Sequence, residues 1–100
     1  MAEDAEINQW IKDIRDAILN LIIVSPHSIR NDETFLDLDA SVTNLEKTNR
    51  DDRDAVIIAA KEAGRDLANF LRVHPEYEKD KRYIPFIQEL KQILQKLLSI

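Results

Sequence analysis

His27 and His74 are the residues whose type best suits them to move a proton or hold a metal in this 100-residue chain, and each stands beside a proline. A di-metal site in a helical bundle uses Glu-x-x-His, because a three-residue step puts both ligands on one helix face. Here Val24 and Leu71 precede the two histidines by three, so that pair of ligands is missing. Both histidines are read as surface or capping groups at helix ends.

The carboxylates offer two further patterns. Asp37-Leu38-Asp39-Ala40-Ser41-Val42-Thr43 places oxygens at alternate positions, like the opening of a calcium loop. Such a loop needs glycine at its sixth position and a bidentate glutamate at its twelfth; Val42 and Thr48 occupy those places. The same residues fit a helix with Leu38 and Val42 inward and the acids outward. Asp51, Asp52 and Asp54 form an acidic cluster. Acid–base work by such a cluster requires burial and separated pKa values; near a helix N-terminus the expected role is interaction with the helix dipole.

The nucleophile and phosphate chemistries lack their scaffolds. Ser25, Ser28, Ser41 and Ser99 have no Gly-x-Ser-x-Gly context, and the lone Gly64 cannot build a glycine-rich phosphate loop. The absence of cysteine removes disulfides, zinc–thiolate sites and a thiol nucleophile. Lys79, Lys81 and Arg82 are interleaved with Glu78 and Asp80 and flanked by Tyr77 and Tyr83, which reads as a solvated connector or an aromatic-plus-basic partner patch. No catalytic, cofactor-binding or metal-binding residue emerges, and the expectation is a protein that is not an enzyme and needs no cofactor.

The elements that hold these residues derive from apolar spacing. Ile7, Trp10, Ile11, Ile14, Ile18, Leu21 and Ile22 recur at three- and four-residue steps, predicting a helix over residues 3–24 with Trp10 in the core. Ser25-Pro26 stops it, since proline cannot donate to the ladder. Residues 25–32 form a connection with room for one short turn, and Asn31, Asp32 or Thr34 can cap the second helix. Phe35, Leu38, Val42 and Leu45 mark that helix, over 32–47. Thr48 or Asn49 is the expected cap of a third, over 50–73, with Val56, Ala59, Ala60, Ala63, Leu67, Phe70 and Leu71 inward. Ala60 and Gly64, four apart, are expected to let a neighbouring helix approach closely. His74-Pro75 ends the third helix. A fourth runs from Tyr83, with Pro85 tolerable only near its start.

Four rods of similar length joined by short connections predict an all-α antiparallel four-helix bundle, a single domain over residues 1–100. The alternative comes from phase. The steps 35, 38, 42, 45 continue to 49, 52, 56 and 59, so one long helix over 32–73 would suit a three-helix spectrin-like arrangement. Gln9-Trp10-Ile11-Lys12 resembles the first helix of a spectrin repeat, and Ala63-Gly64-Arg65-Asp66-Leu67 before His74-Pro75 resembles the end of its second. That resemblance implies an arrangement and carries no function.

Composition narrows the partners. Nineteen acids against 14 Lys and Arg give a formal charge of -5, which disfavours nucleic acid and anionic membrane. The acidic start, Glu3-Asp4-Ala5-Glu6, has neither the basic nor the apolar character of a targeting segment, so a cytoplasmic location is expected. Two function classes remain. The first is a non-catalytic bundle, either an engineered or designed scaffold without a natural ligand or a small protein–protein interaction module. Low glycine, no cysteine and an Ile/Leu/Ala-rich interior suit design, whereas Pro85 and the irregular 25–32 connection do not. The second is a small-ligand binder or enzyme with a site between helices, which requires inward polar groups; Asn49 and Asp52 are the only polar residues on a predicted seam. For the interaction class, Leu19, Ile23, Ile57, Ile58 and Ile100 lie off or at the edge of the apolar stripes and form the expected partner or self-association surface.

Overall fold

The computed structural model describes residues 3–100, and within them the chain forms four α-helices and two short 3-10 turns. The helices are α1 (Asp4–Val24), α2 (Glu33–Lys47), α3 (Arg53–Val73) and α4 (Ile84–Leu98). The turns, His27–Asn31 and Pro75–Glu78, carry the chain between α1 and α2 and between α3 and α4. Each helix is amphipathic, so each must bury one stripe against the others. The result is an up-down-up-down bundle: α1 packs beside α2 and α4, α3 packs beside the same two, and the diagonal helices α1 and α3 meet through the Asp4–Arg53 ion pair at 2.8 Å.

The predicted stripes make the core. Ile7, Ile14, Ile18, Leu21, Leu45, Val56, Ala63, Phe70 and Leu97 are fully buried, and no charged or strongly polar side chain joins them among the described residues. Trp10 differs from expectation. It is half-buried at the rim, packed against the core on one side, with the Lys96 ammonium 5.8 Å from its ring centroid on the other. An indole at the α1–α4 edge buries most of its ring and keeps an aromatic face available to a cation.

The chain breaks between α2 and α3, so the single long helix over 32–73 does not form. The cap is Asp52, whose carboxylate accepts from the Ala55 amide at 3.0 Å, in place of the expected Thr48 or Asn49. Thr48 instead ends α2, its hydroxyl donating to the Asn44 carbonyl at 2.8 Å. Arg50 covers the exposed end of α2 by donating to the Glu46 carbonyl at 3.1 Å and the Leu45 carbonyl at 3.3 Å. These local hydrogen bonds satisfy backbone groups that a continuous helix would have paired internally. Asn49 and Asp52, the two polar residues of the predicted seam, therefore lie at the bundle end rather than inside it, with Asp52 exposed.

Asp32 caps α2, accepting from the Phe35 amide at 3.0 Å. Pro85 sits in the first turn of α4, where no intrahelical hydrogen bond is lost. With α1 and α3 running one way and α2 and α4 the other, residues 25–34 and 73–84 share one end of the bundle. Residues 47–53 and the C-terminus share the other.

Candidate functional site

The end built from residues 25–34 and 73–84 gathers a cluster of Ser, His, Asp and Tyr side chains that meet one another. His74, at the end of α3, places Nε2 at 2.8 Å from the Asp32 carboxylate and Nδ1 at 3.7 Å from Glu76. The Thr34 hydroxyl also donates to Asp32. Tyr77 donates its hydroxyl to Ser25 Oγ at 2.9 Å, and Ser25 donates onward to the Leu21 carbonyl at 2.5 Å. The aromatic rings stack beneath: Phe70 lies 5.0 Å from the His74 ring and 4.8 Å from Tyr77, and Tyr77 stacks on Tyr83 at 4.1 Å. His27 stands exposed in the first 3-10 turn.

These groups are of catalytic types, and their hydrogen bonds run to one another and to the backbone. A nucleophilic serine must donate to its base; Ser25 donates to a backbone carbonyl and accepts from a tyrosine, and is not hydrogen-bonded to His74. The hydrogen bond from Thr34 is the chief reason the Asp32 carboxyl is held below its ordinary value, with the Phe35 amide and His74 acting in the same sense. Burial pushes the Tyr77 hydroxyl pKa up, away from any use as a base near neutral pH. The cluster fastens both connections to the helix ends. It also corrects the aromatic-plus-basic patch: Tyr77 and Tyr83 are buried against each other and unavailable to a partner, while Arg82 turns outward to clasp Asp80, whose carboxyl it holds down to about 2.

The calcium-like stretch serves a different purpose as well. Asp39 accepts from Arg15 Nη1 at 2.5 Å, Glu46 accepts from Nη2 at 2.8 Å, and Thr43 Oγ1 accepts from Nη2 at 3.0 Å. Arg15 is thus the hub that fastens α1 to α2, and the Glu46 hydrogen bond contributes most to keeping it protonated. Ser41 turns the opposite way and donates to Asp66 on α3. No group of three or more His, Asp or Glu side chains is arranged to hold a metal ion among the described residues, and none of their helices is long and apolar enough to cross a membrane.

The expected partner surface divides. Leu19 and Ile23 are exposed, Ile23 to 76%, and Ile58 is exposed as well. Ile57 is half-buried, and Ile100 is half-buried and packed against the core, so neither offers much surface. Ile58 belongs to α3, diagonal to α1, and it lies toward the opposite end of the bundle from Leu19 and Ile23. It cannot share a patch with Leu19 and Ile23.

Leu36 and Val73 are exposed apolar residues missing from that expectation, and Leu36 lies near Leu19 and Ile23. Leu36 is 48% exposed. Leu19 and Ile23 lie one and two turns beyond Arg15 on the same flank of α1, and Leu36 lies a turn before Asp39 on α2. Arg15 and Asp39 meet across the groove and the helices are antiparallel. Leu19, Ile23 and Leu36 are thereby brought to the same outer α1–α2 flank, beyond the ion pairs.

A second apolar surface lies between α3 and α4, a groove of about 600 Å³ floored by Ala60, Gly64 and Ala68 on one side and Leu94 and Leu98 on the other. The expected close helix approach at Gly64 is absent: a methyl added there would meet nothing within 4 Å. The small residues leave space that α4 does not fill.

A scan against protein-family models found no match to this chain, and searches of curated proteins and of solved structures found none either.

Proposed function

We propose that this chain is a non-catalytic helical bundle that works as a protein–protein interaction module. The observation that carries the reading is the separation of chemistry from cavity. Apart from the hydroxyls of Tyr77 and Tyr83 the interior is apolar, every buried side-chain nitrogen or oxygen among the described residues has a hydrogen-bond partner, and the unsatisfied apolar area faces outward. Reaction or specific small-molecule capture needs convergent polar groups in a concave site, and Asp52, the inward carboxylate that would have supported that class, is an exposed cap. The irregular devices at the connections support a natural module over an idealised scaffold. Two 3-10 turns, the Asp32–His74 link and the Tyr77–Ser25 hydrogen bond are features that backbone idealisation omits.

The test is comparative capture from extract. Immobilised wild type is set beside two variants with wild-type melting temperatures, one combining Leu19→Ser, Ile23→Ser and Leu36→Ser, the other Gly64→Leu. A protein held by the wild type and lost from one variant supports the reading. Retention of nothing above a blank resin, or equal retention by all three, contradicts it and favours a scaffold without a natural ligand.

A further inference from the structure

We infer that the groove between α3 and α4 receives one helix of a partner protein, amphipathic and flanked by acidic residues. The inference rests on the interaction reading above and specifies its site. Shape gives the first argument. Ala60, Gly64 and Ala68 recur every four residues along α3, so they line up as a straight trench rather than a closed pocket. The lining runs from Ala60 to Arg72, about 18 Å at 1.5 Å per residue, which matches the apolar ridge of a helix of some three turns. A Cβ at Gly64 would meet nothing within 4 Å, so the trench is open at its middle. Small residues at this spacing let another helix come close, and α4 does not use the opportunity.

Charge gives the second. The molecule is acidic, at -5, yet the lips of this groove carry Lys61 and Arg72 from α3 and Lys91 from α4, against one acid, Glu78. Two of these cations are held in place: Arg72 donates to Asn69 at 2.6 Å, and Lys91 donates to Glu78 at 2.9 Å. Lys61 and Arg72 are about 16 Å apart along α3. One anionic head group on an acyl chain would meet one end of that span. A helix bearing carboxylates on successive turns meets all of it, and this distribution favours the helix over a fatty acid. An amphipathic helix seated in a groove is a common recognition mode, and the flanking charges would set orientation and on-rate.

The probe is a fluorescein-labelled, end-capped peptide of about 14 residues, with Leu and Ala on one helical ridge and Glu on both flanks. Its twin carries Lys in place of Glu. Anisotropy is expected to show the Glu peptide binding and the Lys peptide not. Combining Lys61→Glu with Arg72→Glu is expected to weaken the Glu peptide about tenfold or more, as is raising salt to ~0.5 M. Gly64→Leu, whose Cβ would meet nothing within 4 Å, is expected to abolish binding while its melting temperature stays at the wild-type value, and amide shifts on titration should fall on residues 60–72 and 91–98. Equal binding of both peptides, binding unaffected by Gly64→Leu, or no binding by the Glu peptide overturns the inference. If it falls while capture in extract depends on Leu19, Ile23 and Leu36, the interaction reading stands and only the site is wrong. A fluorescent long-chain fatty acid that binds where the peptide does not, and is blocked by Gly64→Leu, overturns both.

Discussion

Asp32 shows how much of this molecule's order depends on single polar side chains outside the core. It caps α2 through the Phe35 amide, accepts from Thr34, and meets His74 from the far end of α3. Asp32→Ala is expected to cost about 1 kcal/mol as a lost N-cap, read from urea denaturation at pH 7. The carboxyl is held below its ordinary value of 3.8, with the Thr34 hydrogen bond the largest cause. A depressed carboxyl stabilises the fold above its unfolded value, and that contribution disappears as the pH falls through the lower folded one. Wild type should therefore lose more stability than Asp32→Ala between neutral pH and about pH 3; parallel acid limbs would show that Asp32 is not held this way. Arg15 acts between α1 and α2, in partial contact with solvent. Arg15→Ala is expected to cost about 1 kcal/mol or less, and the loss should shrink when the titration is repeated in high salt. The cap at Asp32 was legible in the sequence as one of three candidates, with Asn31 and Thr34, because a short polar side chain before an apolar helix has a local meaning. The Arg15 hub was not, because its partners depend on how two antiparallel helices align.

The helices themselves were largely legible, since three- and four-residue apolar steps report burial directly. Ile14 marks that success. It is fully buried at the middle of α1, and Ile14→Ala should cost about 2–5 kcal/mol in denaturant titration. Phase was misleading at two places. The three- and four-residue phase continues from Leu45 through the polar Asn49 and Asp52 to Val56, yet the helix stops, because Thr48, Arg50 and Asp52 supply capping hydrogen bonds that no hydrophobic pattern records. Gly64 likewise reads as a close-packing position, and whether a neighbour fills the space depends on tertiary geometry. The structure leaves that space open, so Gly64→Ala should raise stability by about 1 kcal/mol, the helix-propensity difference alone. A destabilisation would mean that a helix does press on residue 64. Of the residues expected at the apolar surface, Leu19, Ile23 and Ile58 are exposed, with Ile58 away from the other two. Leu36 joins Leu19 and Ile23 only through the Arg15–Asp39 register, and Ile100 folds back onto the core.

At the scale of the molecule, a 37 × 23 × 19 Å bundle carries an apolar centre and outward apolar faces on separate pairs of helices. Ile58 stands apart from both, and Ile58→Asp is expected to shift stability by less than ~0.5 kcal/mol and to leave capture unchanged. The account depends on one chain closing on itself, because a swapped dimer built from a long α2–α3 helix would place different surfaces outside. An isotope-filtered nuclear Overhauser experiment on mixed labelled and unlabelled protein separates the two. Phe35 and Phe70, whose rings lie 6.0 Å apart across α2 and α3, and Ser25 and Tyr77, joined across the bundle end, are the diagnostic pairs. The closed bundle predicts these contacts within a single labelled chain and none between labelled and unlabelled chains; strong cross-peaks between chains would contradict it.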